Sequence, residues 1–514
     1  MSAPVRLARA FATVGGWTMG SRVLGFARDA MLAALLGAGP VAEAFLVAFR
    51  LPNMFRRFFA EGAFNMAFVP LFAKRLEGGE DAKGFAEEAL AGLLAVLLAI
   101  TAVGIVAMPL LVWALAAGFA DDQAKFDLTV LYARIQFPYL LCMSLTALFS
   151  GVLNALGKFG APAAAPVLLN VILIGAMALA VGIAAPVGDA LAIGVLLAGF
   201  AQVALVAFAA ARMGYGLRLR RPRWTPGTKR LVTLGVPGAL AGGVTQVNLL
   251  IGTVIASFYD GAVAWLNYAD RIYQLPLGVV GVAIGVVLLP ELSRRVRADD
   301  SAGAQQAFNR ATEFAMALTL PAAAALLVMP ETVASVLFAR GAFTATDAAA
   351  TATALSMFAI GLPAFVLQKV LQPAYFSRED TITPLRYAAV SMAVNTAVSI
   401  GGAPYIGFMA IPLGTTLAGW LNVLLLWRGA KRFGEQAQMD ARLRHRLPRL
   451  VFASLLMAGP VLAAAIFLAE PLSMPFIRWG ALLLIVGGGA VIYALAVIAT
   501  GAGRLGELKS MLRR

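Results

Sequence analysis

One cysteine, Cys142, and one histidine, His445, are all that 514 residues hold of the two side chains most used for metal binding and nucleophilic attack. A disulfide framework, a zinc site built from Cys and His, and a Cys–His nucleophile pair are thereby excluded. Charge is scarce as well: Asp, Glu, Lys and Arg make up 13% of the chain, against about 25% in a soluble domain. Hydrophobic residues reach 61%, against roughly 45–50%, which excludes a soluble globular protein. Acids are the scarcer sign, 26 against 41 Lys and Arg, so the net charge is +15. The adjacent acids Asp121-Asp122 and Asp299-Asp300 read as solvated loop residues, not as Mg²⁺ ligands of a phosphoryl-processing enzyme. No catalytic residue, cofactor or metal site is expected. Cys142 reads as a small apolar residue within a helix, and His445 as part of a solvated basic loop with Arg442, Arg444 and Arg446.

What is present is apolar length. Mean hydropathy is +0.84, and fourteen apolar runs follow one another from residues 10–37 to 476–500, each near the roughly 20 residues that cross a bilayer. They are continuously apolar, which predicts helices and not the alternating strands of a barrel. The fold class is all-α: a polytopic membrane protein with 14 transmembrane helices. The start, MSAPVRLARAFATVGG, carries Arg6 and Arg9 before an apolar stretch but no small-residue cleavage site, and reads as a retained first helix.

Two basic linkers, 212–230 and 428–449, divide the chain into an N-lobe of helices 1–6 (1–226), a C-lobe of helices 7–12 (227–445), and helices 13–14 with a tail (446–514). Repetition supports the division. Phe68-Val69-Pro70 through Lys74-Arg75 recurs as Leu288-Leu289-Pro290 through Arg294-Arg295, and Pro138 and Asn170 share the spacing of Pro363 and Asn395. A six-span repeat keeps its orientation, so the two lobes should be related by a pseudo-two-fold along the membrane normal, with a cavity between them. The termini and the loops after even-numbered spans carry 30 basic residues, and the other loops only Lys125, Arg340 and Arg478. Both termini should therefore be cytoplasmic. The net charge reflects this topology and attraction to anionic lipid. Dispersed basic residues without aromatic interleaving give no nucleic-acid face.

Eight basic residues remain within spans: Arg22, Arg28, Arg50, Arg56, Arg57, Arg134, Arg271 and Lys369. The acids there are Asp29, Glu43, Glu61 and Asp270. A charge at a span centre costs roughly 2.5–3.5 kcal/mol, so such residues face a bundle interior or water. Arg57 and Glu61, at i,i+4, could pair. Arg50 and Arg134 either snorkel to an interface or line the interior, and Lys369 could line a wet wall. Asp29 beside Arg28, and Asp270 beside Arg271, lie about 100° apart on a helix, so each acid is expected to fix another group and not its neighbour. Arg22, Arg28, Arg56 and Arg271 stand out, because guanidinium groups without matching acids suit a diphosphate, with a plain charge network as the rival. Gly15-Gly16, Gly20 and Gly25 beside them permit a bend or a close helix approach.

These residues lie in recognisable runs. Ser21-Arg22-Val23-Leu24-Gly25-Phe26-Ala27-Arg28-Asp29, Leu51-Pro52-Asn53-Met54-Phe55-Arg56-Arg57-Phe58-Phe59-Ala60-Glu61-Gly62-Ala63-Phe64 and Tyr268-Ala269-Asp270-Arg271 resemble the MurJ (MviN) family of lipid II flippases, along essentially the whole chain. The resemblance implies the multidrug/oligosaccharidyl-lipid/polysaccharide exporter superfamily: two six-helix lobes in a V, with helices 13 and 14 forming a groove toward the cavity. It implies a multi-pass protein of the cytoplasmic (inner) membrane that carries lipid II, the undecaprenyl-diphosphate-linked peptidoglycan precursor, from inner to outer leaflet by alternating access. The family's essential cavity arginines fall on Arg22, Arg28, Arg56 and Arg271, with Asp29 beside them; Glu43, Arg50, Glu61 and Asp270 are cavity or supporting candidates. Glu43 stands where related members carry Asp. Implied partners are lipid II, membrane lipids and divisome or elongasome proteins. Some members hold sodium with Asp in helices 7 and 11; here those helices offer Gln246, Asn248, Asn395 and Thr396 and no acid.

Three rival readings compete with this one. A drug antiporter on the same architecture would need acids for its cations, and the balance of intramembrane charge runs the other way. A flippase for another polyprenyl-diphosphate-linked glycan is opposed only by the motifs of the first two spans. A membrane transferase or phosphatase lacks its clustered acids or reactive His. The topology is directly testable: a cysteine placed in 212–230 should resist a membrane-impermeant maleimide in intact cells and react in inverted vesicles, and labelling from outside would overturn it.

Overall fold

The computed structural model describes the backbone of residues 3–56 and 63–503, with side chains at 3–12, 56, 63–66, 236–249, 279, 281–287 and 435 outside the description. Every described element is helical, and among the described residues nine helical stretches are long and apolar enough to cross a membrane. This is an all-α, multi-pass membrane fold. Two compact units form, Met1–Ala264 with Arg340–Phe343, and Trp265–Ala339 with Thr344–Arg514.

The first unit contains α1 (Ala3–Leu36), α2 (Pro40–Arg56), α3 (Ala63–Glu77), α4 (Ala82–Val106), α5 (Met108–Leu115), α6 (Gln123–Gln136), α7 (Tyr139–Ala155), α8 (Gly160–Gly182), α9 (Val187–Arg212) and α10 (Pro226–Ala256). Proline explains its breaks. The third apolar run divides into α4 and α5 next to Pro109, and the fourth into α6 and α7 at Pro138, where the missing N–H and the ring interrupt the ladder. In lipid the helices gain by close approach, so small residues sit where large ones press. A Cβ on Gly104 would lie 2.2 Å from the Phe137 ring, and one on Gly199 2.8 Å from both Tyr139 and Cys142. Cys142 is a buried helical residue, as expected. The core stacks Phe68 on Phe72 at 5.5 Å and on Phe85 at 5.7 Å. The segment 340–343 joins this unit because Ala342 N–H donates to the Ala34 carbonyl at 2.8 Å. The left-handed Gly341 (φ 58°) makes that approach feasible, since a Cβ there would strike the same carbonyl at 2.2 Å.

The second unit holds α11 (Ala262–Arg297) from Trp265 on, α12 (Ser301–Val328), α13 (Pro330–Phe338), α14 (Ala345–Phe376), α15 (Ile382–Ile406), α16 (Ala410–Ala430), α17 (Ala441–Phe467), α18 (Ala469–Ser473) and α19 (Ile477–Ala499). Pro330 separates α12 from α13 as Pro109 separates α4 from α5. The repeat extends to side-chain detail. Asp81 and Asp300 cap α4 and α12 by accepting from the N–H of Gly84 and Gly303. Buried Glu87 on α4 pairs with Arg220 at 2.6 Å, and Glu313 on α12 gathers Arg310, Arg442 and Arg446, the last two from α17. The acid pairs are thus not merely solvated: Asp122 likewise caps α6 through the Lys125 N–H, and Asp300 pairs with Arg295. His445 is another correction. It lies in the first turns of α17 and not in a loop, because Asp440 caps that helix and its arginines reach Glu313. At the end of α11, hydrogen bonds from Arg295 and then Arg294 hold the half-buried Glu291 carboxyl below the usual carboxylate range.

Lys125, read from the sequence as a loop charge, is 4% exposed. Its Nζ lies 2.6 Å from Glu43 Oε2 and 3.3 Å from Asp260 Oδ1, and 4.2 Å over the Phe119 ring. Glu43, 1% exposed, also accepts from the Val263 N–H at 3.1 Å. Glu43 therefore supports the packing of α2 against α6 and the turn after α10. Removing one partner strands a buried charge, so Lys125→Ala should destabilise the protein by about 3–5 kcal/mol, and adding Glu43→Gln should recover much of the loss. Thermal unfolding in detergent measures this, and an unchanged Tm for Lys125→Ala would contradict it.

Candidate functional site

Ser21, Gly25 and Arg28 of α1 follow the i, i+4, i+7 pattern and share one face, which meets Asn170 of α8. Asn170 Nδ2 donates to the Ser21 carbonyl at 3.0 Å, while its Oδ1 accepts from Arg28 Nη1 at 3.1 Å. Gly25 lies against the Asn170 amide, where a Cβ would come to 3.6 Å, an ordinary contact distance. Arg28 is 8% exposed and Asp29 5%. Asp29 Oδ1 accepts from Arg28 Nη2 at 2.6 Å and from Nε at 3.0 Å. The expectation that these neighbours point apart is therefore wrong. The backbone directions do diverge, but the long arginine arm bends around the helix, and at this burial an unneutralised guanidinium would cost more than the bent rotamer.

Arg22 is exposed and has no hydrogen-bond or ion-pair partner among the described residues. It sits about 9 Å along α1 from Arg28 and about 120° around it. Arg50 on α2 is half-buried and donates to Thr253 Oγ1 of α10 at 2.5 Å, which makes it an interhelical tie and not a snorkelling residue. Arg134 is exposed and donates to the Ile105 carbonyl at the end of α4, 3.2 Å away. Arg56 ends α2, but its side chain lies outside the described ones, as do Gln246 and Asn248. Arg57, Glu61 and their proposed pairing lie outside the described residues.

In the second unit, α11 is held by Trp265 Nε1 donating to Asp347 at 2.8 Å and by fully buried Tyr268, whose ring centre is 5.0 Å from that of Phe338. This leaves Asp270 and Arg271 half-buried beside that packed face. Asp270 accepts from Gln274, one turn on, so here the acid does fix a group other than its neighbouring arginine. Lys369 is exposed, while Gln368 is tied to Gly419 and Asn422. Asn395, the repeat counterpart of Asn170, is buried and accepts from Ser399 at 3.1 Å. No group of three or more His, Cys, Asp or Glu side chains is placed to hold a metal ion among the described residues.

Sequence reasoning thus singled out Arg28 but not what holds it. Asn170 entered only as a marker of the repeat, and Lys125 and Thr253 not at all as partners, because their contacts span 142, 82 and 203 positions of chain.

The chain matches the family model described as "Lipid II flippase MurJ" over residues 32–482. It is similar to a probable lipid II flippase MurJ of Rhizobium tropici, 47% identical over 521 residues that cover 99% of this chain and 97% of that protein. A protein of the same description from Rhizobium meliloti (strain 1021) is 50% identical, covering 91% and 88%. Among solved structures, a lipid II flippase MurJ in an inward closed conformation superposes with a TM-score of 0.79 at 23% identity, covering 94% of this chain and 97% of that one. An inward-facing MATE transporter of the MOP superfamily follows at 0.69 and 14%, covering 80% and 94%. Those two likenesses show the fold, and the extended identity to the relatives shows the family: the chain belongs to the MurJ lipid II flippases, a family of transporters and not of enzymes.

Proposed function

We propose that this protein carries lipid II from the inner to the outer leaflet of the cytoplasmic membrane, with both termini cytoplasmic and Arg22, Arg28, Arg56 and Arg271 serving the diphosphate. The observation that carries the reading, beside family membership, is the state of Arg28. It is a buried guanidinium whose fork is occupied by the Asp29 carboxylate and steadied by Asn170. Arg28 Nε and Nη2 converge on one Asp29 oxygen, a place that a phosphate oxygen can take, so substrate and Asp29 compete for one fork. In this mechanism Asp29 is the stand-in anion. It neutralises Arg28 when no substrate is present and yields it when a diphosphate arrives, which gives the empty and loaded states different charge contacts, as alternating access requires. Arg22, exposed and without such a partner, fits an earlier encounter. Asp270 and Glu43 act as supports. Expulsion of an anion outward gains from a potential negative inside, about 2.3 kcal/mol per elementary charge per 100 mV.

Arg28→Ala, Arg56→Ala and Arg271→Ala should each abolish complementation of a flippase-depleted strain while the protein still accumulates. Lys at these positions should restore function in part, since it keeps the charge and loses the fork. Asn170→Ala, which removes a hydrogen bond to a charged group, should lower transport by roughly tenfold. Growth and a leaflet-accessibility assay for lipid II read the outcomes, and normal growth of all three arginine variants would sink the diphosphate reading.

Energy coupling follows from the absence of an acid among the candidate sodium ligands. Purified protein in vesicles under an imposed potassium diffusion potential should flip lipid II equally well when sodium is replaced by choline. Loss of transport at constant potential would show the opposite.

A further inference from the structure

The linker between α9 and α10 runs without regular structure from 215 to 225, yet it is firmly placed. On its inner side Tyr215 meets Phe72 edge-on at 5.6 Å, and Leu217 packs on the aromatic core. Glu87 of α4 accepts from the Arg218 N–H at 3.1 Å and pairs with Arg220, while Glu88 accepts from the Thr225 hydroxyl at 2.7 Å. Lys83 of α4 donates to the Gly214 carbonyl at 3.1 Å. These anchors set the linker's depth. Glu87 and Glu88 are the last charged residues of α4 before an uninterrupted apolar run from Ala89 to Val106. A segment bonded to them lies level with the lipid headgroups.

Its outer side combines two kinds of side chain. Leu219 and Trp224 are 66% and 70% exposed, a large apolar surface for a strap pinned at its inner face. Arg218, Arg221 and Arg223 are exposed beside them, and their side chains have no hydrogen-bond or ion-pair partner among the described residues. The corresponding linker after α16 behaves differently: Arg432 ends on Asp380, and Arg442 and Arg446 on Glu313. The second linker ties these three arginines to acids of the protein, whereas the first ties Arg220 to Glu87 and leaves Arg218, Arg221 and Arg223 outward.

We propose that residues 218–224 form a lipid-binding strap, which inserts Leu219 and Trp224 at the interface and holds anionic phospholipid headgroups with Arg218, Arg221 and Arg223. Tryptophan suits this depth, with an apolar ring and one polar N–H, and arginine takes phosphate oxygens in its fork. Charge complementarity commits the surface to acidic lipid, on whichever side of the bilayer this end of α4 lies. Each arginine is expected to favour phosphatidylglycerol over phosphatidylcholine by roughly fivefold.

The test uses the full chain in nanodiscs containing brominated phosphatidylglycerol or brominated phosphatidylcholine. The Trp224→Phe variant isolates the fluorescence of Trp224 from that of the other six tryptophans. Quenching of the Trp224 component by both lipids, stronger for phosphatidylglycerol, with the preference lost in Arg218→Gln/Arg221→Gln/Arg223→Gln, is the expected result. These substitutions are at exposed positions, and the unchanged emission of the remaining tryptophans reports that the fold is intact. No quenching by either lipid would overturn the proposal and leave the strap to a soluble acidic partner. Equal quenching by both lipids, unaffected by the arginine changes, would overturn the recognition of acidic lipid.

Discussion

A charge buried in a membrane-spanning helix persists only with an opposite charge or a dipole within reach, and the polar architecture of this protein follows from that constraint. Lys125 and Glu43 are almost wholly enclosed and lie 2.6 Å apart. Arg28 bends back to its own neighbour, Asp29, and takes a third contact from Asn170. Glu87 and Glu313 each draw in arginines from the linker that follows their six-helix stretch. In each case at least one contact joins separate elements, through the neutralising ion at Lys125, Glu87 and Glu313 and through the Asn170 amide at Arg28, so satisfying the charge also fixes how helices pack. The energy at stake is the desolvation of an unpaired ion, several kcal/mol, and not the small worth of an exposed pair.

The repeat gives this constraint a second expression. The two units use the same proline-directed breaks and the same Asp caps, down to Asp81 with Gly84 and Asp300 with Gly303. They diverge at the polar junctions. Asn170 turns toward an arginine on α1, whereas Asn395 turns toward Ser399 on its own helix. A duplicated scaffold therefore carries unequal chemistry, with the buried guanidinium of the candidate site in one unit and half-buried Arg271 in the other.

Much of the fold was legible because membrane helices announce themselves locally. An apolar run of about 20 residues has one stable way to satisfy its backbone in lipid, and that rule involves no distant partner. The candidate site was legible in part for the same reason: a charge such as Arg28 is conspicuous in an apolar run whatever surrounds it. Its pairing was not. The sequence geometry of Arg28 and Asp29 pointed them apart, and only the burial of both, imposed by α8, makes the bent arrangement the lower in energy. Lys125 reads as a loop charge because it lies outside the apolar runs, while the residue that buries it, Glu43, is remote in the chain.

The sequence by itself determined the class, the apolar helices, the repeat and the family. All of these depend on composition, on spacing within about twenty residues, or on runs that match as strings. Only the tertiary structure decided that Asn170 grips Arg28, that Glu43 belongs to Lys125, that Arg50 ties α2 to α10, and that Arg218, Arg221 and Arg223 face outward while Arg442 and Arg446 reach Glu313. Each of these is a contact between distant segments, and its sign and strength depend on burial, which no local stretch of residues encodes.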